Sequence, residues 1–181
     1  MTVAPVVHIG GWPGAGKRTV GRIVADMLDG RLIHNHLMLD AARAIYARET
    51  QESIAMREEV RALILFHAQS LPDEVPVILT DALADEPAAI PLFQPALDLA
   101  RNRNDPLSTF VLDLALEENQ RRLTDPSRRG GDKLMDADVL RTIRASNRLF
   151  LPKGSVTLDV TEMSATDAAV LICAHVGQLH G

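Results

Sequence analysis

The residues best suited to chemistry stand near the amino terminus, where Gly11-Trp12-Pro13-Gly14-Ala15-Gly16-Lys17 has the spacing G-x-x-x-x-G-K and is followed by Arg18 and Thr19. Glycines at this spacing let consecutive backbone N–H groups converge on one concavity, and a helix that starts at the lysine adds the positive end of its dipole. Gly14 and Gly16 allow the close approach that a side chain would block, and Lys17 can reach outer phosphates as a mobile point charge. The chemistry implied is polyphosphate binding. In the usual form of this loop a Ser or Thr directly after the lysine helps hold Mg²⁺, but here that position is Arg18.

Two further stretches carry chemistry. Residues 75–81 form an apolar run that ends in Thr80-Asp81. A strand delivering a carboxylate beside a phosphate loop offers a hard oxygen ligand to Mg²⁺, so Asp81 is the candidate metal ligand, or else the base toward an acceptor hydroxyl. Residues 121–134 hold Arg121, Arg122, Arg128, Arg129 and Lys133 beside Pro126, Gly130 and Gly131 in an otherwise acidic chain. A flexible cationic segment suits a lid that closes over phosphates and excludes water only when substrate is present.

Strands alternating with helices must position these groups. Residues 6–9 are continuously apolar, as in a strand covered on both faces. Helical spacing runs over 17–28, with Gly30 as a stop signal. A short strand over 31–34 leads into a helix over 36–48, then a longer helix over 51–71 with Ile54, Val60, Leu63, Ile64 and His67 on one face. After the strand ending at Asp81, a helix is expected over 85–103, a strand over 107–112, a helix from Glu117, another over 136–149, a strand over 156–160 and a closing helix over 165–179. This order implies a parallel sheet with helices on both faces and a phosphate site at the carboxyl ends of the strands. Asn102-Arg103-Asn104-Asp105 resembles a guanine-reading motif, but it precedes a strand instead of following one and carries Arg for Lys, so it reads as a polar turn.

A chain of 181 residues is the size of one domain. With 3% aromatic residues and a net charge of −5, it lacks the stacking platform and basic surface of a nucleic-acid binder. Cys173 is the single cysteine, which excludes an intrachain disulfide, and no apolar run approaches a membrane span. A cytoplasmic protein without membrane or nucleic-acid partners is expected. His34 and His36 have no third ligand at a telling spacing, which argues against a metal pair.

Gly10-Gly11-Trp12-Pro13-Gly14-Ala15-Gly16-Lys17-Arg18-Thr19 resembles the loop G-G-P-G-x-G-K-G-T of adenylate-kinase-like proteins, with Trp12 inserted. Over its whole length the chain resembles the small P-loop kinases of the shikimate, adenylate and chloramphenicol phosphotransferase type. The resemblance implies a single three-layer α/β P-loop domain over residues 1–181, a five-stranded parallel sheet and a small lid over about 121–134. It implies ATP and Mg²⁺ as cofactors and a small hydroxylated acceptor. By the same resemblance Arg122, or Arg121, faces the adenine, Arg128 or Arg129 reaches phosphate, Arg141 and Arg144 point back at the phosphates, and His36, Asp40 and Arg43 belong to the acceptor site. Nucleoside monophosphate kinases usually carry an arginine soon after the second motif. Residues 82–85 have none, which counts against a nucleotide acceptor. A nucleotide-binding NTPase or regulator without acceptor is the alternative activity.

Overall fold

The computed structural model describes residues 4–48, 50–87, 89–105, 107–126 and 134–180. Five strands, β1 (Val6–Gly11), β2 (Arg31–His34), β3 (Val77–Thr80), β4 (Leu107–Asp113) and β5 (Val156–Asp159), form one parallel sheet in the order β2-β3-β1-β4-β5. The helices are α1 (Lys17–Met27), α2 (His36–Arg43), α3 (Gln51–Ala68), α4 (Ala89–Asn102), α5 (Leu116–Leu123), α6 (Ala137–Ser146) and α7 (Ala165–His180). The three-layer architecture expected from the sequence is therefore present.

Every residue of β1 is buried, because helices cover both faces of the sheet. Side-chain alternation along the strands divides the core in two. Val7, Ile9, Ile78, Phe110 and Leu112 pack with α1 and α7, while Val6, Val77 and Leu79 pack with α3 and α4. α1 lies close to the sheet at Gly21, where an added Cβ would come 3.0 Å from side-chain atoms of Leu32 and Thr80. That contact places Thr80 on the α1 side. By alternation, Leu79 and Asp81 belong to the α3–α4 side.

Three expectations about the elements are corrected. α2 ends at Arg43 instead of running to 48, and α4 begins at Ala89 instead of 85 because Ala84 pairs with Leu149 as an isolated bridge. The apolar stripe on α3 is not a buried face. Only Ser53 and Ala68 are buried there, and Leu63 and Phe66 are each 60% exposed. The Asn102-to-Asp105 segment is a structural turn, as its sequence context indicated: Arg103 is buried and donates to the carbonyls of Ala68, Leu71, Pro72 and Val75, while Asp105 accepts from the Val6 amide at 2.6 Å.

Candidate functional site

The loop between β1 and α1 is shaped by glycines whose backbone a side chain would strain. Gly11 has φ 140°, and a Cβ there would lie 2.4 Å from the Leu112 carbonyl oxygen. Gly16 caps α1 in the left-handed region at φ 97°, and a Cβ there would meet nothing within 4 Å, so this turn borders open space. Lys17 folds back over the loop and donates from Nζ to the carbonyls of Gly11 at 2.8 Å and Trp12 at 2.7 Å.

Partners far away in sequence hold the loop from behind. The buried Trp12 donates its indole N–H to Asp113 at 3.0 Å, and the Arg144 guanidinium lies 4.8 Å from the ring centroid, a cation–π contact. Asn119, fully buried, donates to the Pro13 carbonyl and accepts from Arg144. Sequence reasoning missed Asn119 and Asp113 and gave Arg144 a different task. Arg144 does not point into the phosphate site, since it bonds the Leu114 carbonyl and Asn119. Arg141 pairs with Asp138 on the surface.

In front of the loop lies a cavity of about 310 Å³. Pro13, Gly14, Gly16, Lys17, Arg18 and Thr19 line it together with Asn35, His36, Leu39, Arg43 and Arg48, and with Thr80 and Ala82. The structure thus brings the expected loop residues together with His36 and Arg43. Gly11, Trp12 and Ala15 are buried behind the loop and shape it from there. Asp40 does not line the cavity; its carboxylate lies 3.9 Å from the Nδ1 of His36. Arg48 was missed because the sequence placed it within α2. Leu134, Val139 and Ile143 supply an apolar strip from the later half of the chain.

Asp81 follows β3 as expected, but its carboxylate turns away from this cavity. Its Oδ2 accepts from the Nε2 of His8 at 2.9 Å, and Oδ1 is buried without a hydrogen-bond partner. Burial pushes the Asp81 carboxyl up, but the adjacent His8 and its hydrogen bond, with Arg61 and Lys17 further off, hold it below the usual carboxylate value. The alternation of β3 dictates this placement: Thr80 faces the α1 side and so borders the phosphate loop, and Asp81 faces the side of His8 and Phe93. The cavity therefore suits the phosphates of a nucleotide but offers Mg²⁺ no carboxylate oxygen, because its lining among the described residues contains no Asp or Glu.

At the other end of α5, Arg122 donates to Glu118 and to the carbonyls of Val160, Thr161 and Met163, fixing the loop that follows β5. Arg121 also pairs with Glu118, whose carboxyl is held down at about 2 by hydrogen bonding to Arg121 and Arg122. Arg128 and Arg129, the expected phosphate-reaching residues of the lid, lie outside the described residues.

No family model matches the chain. A cytidylate kinase from Colwellia psychrerythraea is 26% identical over 90% of this chain and 92% of its own length. Among solved structures, a gluconokinase from Sinorhizobium meliloti superposes with a TM-score of 0.63 at 18% identity, covering 99% of this chain and 95% of that one. Shikimate kinase from Acinetobacter baumannii gives 0.60 at 19% identity, over 98% and 96% of the two chains. With its five-stranded parallel sheet, glycine-rich loop and these structural neighbours, the chain has the fold of the small P-loop kinases.

Proposed function

We propose that this protein is an ATP-dependent phosphotransferase acting on a hydroxyl of a small molecule. The observation that carries the reading is one cavity lined both by the phosphate loop and by residues of the β2–α2 segment, so that a donor phosphate and an acceptor hydroxyl can meet in the same space.

Phosphoryl transfer asks a protein mainly for positioning and charge. The backbone N–H groups of Gly14, Gly16 and Lys17, which line the cavity, hold the inner phosphates, with Thr19 beside them. Lys17 exchanges the carbonyls of Gly11 and Trp12 for phosphate oxygens and neutralises charge as the γ-phosphoryl leaves the β-phosphate for the acceptor oxygen. Arg128 and Arg129 add charge from the lid. Arg122 holds the loop against which the adenine rests. His36, steadied by Asp40, and Arg43 orient the acceptor. Mg²⁺ is the expected companion of ATP, but the lining does not fit it with a carboxylate, and no step is assigned to it. Asp81 acts from beneath, by fixing the segment that carries Thr80 and Ala82 into the lining.

Release of ADP measured with a panel of sugars, nucleosides, antibiotics, hydroxy acids and nucleoside monophosphates tests this. Acceptor-stimulated ADP release, abolished by Lys17→Ala in a protein that still folds, is the expected result. Acceptor-independent slow hydrolysis across the panel would instead favour the NTPase or regulator. A nucleoside monophosphate acceptor is the second reading, favoured by the cytidylate kinase relative and opposed by the lack of an arginine over residues 82–85.

A further inference from the structure

We infer that Arg18 supplies the charge that a bound metal ordinarily contributes at this loop, so that the cavity takes a nucleoside triphosphate as the bare polyanion and Mg²⁺ adds little to its affinity. The inference rests on the phosphate-loop reading above and concerns the same site.

Three observations converge on it. Arg18 occupies the position directly after the loop lysine, in the first turn of α1, where its exposed side chain lines the cavity beside Lys17. A hydroxyl there could ligate a metal; a guanidinium repels one and instead offers a planar fork of donors matched to phosphate oxygens. The second observation is the charge of the lining. Lys17, Arg18, Arg43 and Arg48 all border the cavity, and no carboxylate does among the described residues, although the whole chain carries a net charge of −5. A protein usually anchors Mg²⁺ beside bound phosphates through one or two carboxylates, with waters completing the shell, and among the described residues this lining supplies no carboxylate. Third, the one carboxylate that the sequence pattern would place on the metal is turned to the opposite face of the sheet and bonded to His8 at 2.9 Å. The position that should bind the metal carries a cation, and the residue that should support it is engaged elsewhere.

Calorimetric titration of the full chain with ATP, once in excess EDTA and once in excess MgCl₂, tests the inference without measuring turnover. For the native protein the two dissociation constants should agree within about tenfold, whereas Arg18→Thr should weaken binding by more than about tenfold in EDTA and recover most of it in Mg²⁺. Arg18→Lys keeps the charge and should stay metal-independent, and matched thermal melts of both variants confirm that they fold. If native binding falls by more than about tenfold in EDTA, or if Arg18→Thr binds like the native protein in both buffers, the inference is overturned while the phosphate site stands. Absence of ATP binding in either buffer overturns the phosphate-loop reading itself.

Discussion

Lys17 and Arg18 at the cavity and Arg103 and Arg144 in the framework carry the same charge and meet opposite surroundings. Arg103 is 2% exposed and gathers four main-chain carbonyls from the end of α3 and the chain entering β3. Arg144 gathers a carbonyl, an amide oxygen and an indole face. Both are enclosed by fixed protein acceptors, so their charge is spent on holding segments together. Lys17 also bonds carbonyls, but those of a loop whose inner side opens on a cavity, and Arg18 borders that cavity from an exposed position. What separates the cations of the proposed site from the structural ones is access to a cavity whose lining, among the described residues, holds no carboxylate, which residue type and spacing do not reveal.

The sharpest way to break this distinction is Lys17→Ala, for which acceptor-stimulated turnover should fall by at least about 10²-fold with the melting temperature unchanged. An equal loss of stability would place Lys17 with the framework. Arg103→Leu should do the reverse, lowering the unfolding free energy in urea by about 2–4 kcal/mol, since four carbonyls lose a charged donor, while the folded fraction binds ATP normally. Arg144→Ala lies between the two. It should cost about 1–2 kcal/mol and weaken ATP binding several-fold, because Trp12 and Asn119 both brace the loop through it.

A smaller effect reads the cavity charge directly. His34, at the end of β2, is held down to about 4 by burial, with Arg18 the next cause. Its folded value lies below its unfolded one, so between about pH 6.5 and 4 the unfolded chain binds the extra proton and stability falls as pH falls through that window. Urea titrations at several pH values should show this slope, and Arg18→Thr should make it shallower. An unchanged slope would mean that Arg18 does not project its charge toward β2.

Much of this was legible in the chain. The phosphate loop is a local feature whose glycines, lysine and helix start lie within a dozen residues, and the apolar strands of a doubly covered sheet announce themselves by composition. Asp81 was found at its strand end but not its direction, because alternation fixes which residues share a face without saying which helices cover it. Asn119 and Asp113 were invisible because their partners, Pro13 and Trp12, stand 106 and 101 residues away in the chain. The early start expected for α4 failed for a related reason: Asp85-Glu86-Pro87 has the composition of a helix opening, but a long-range bridge from Ala84 to Leu149 holds the chain extended there. The apolar residues of α3 had helical spacing and yet little to pack against, since spacing reports a face and not a neighbour.

The chain's single tryptophan sits inside the phosphate loop itself, with its indole N–H on Asp113, a guanidinium beside its ring and its own carbonyl held by Lys17. Any anion that draws Lys17 away changes the surroundings of that one fluorophore. Intrinsic emission is therefore a label-free gauge of occupancy, carried by the native molecule.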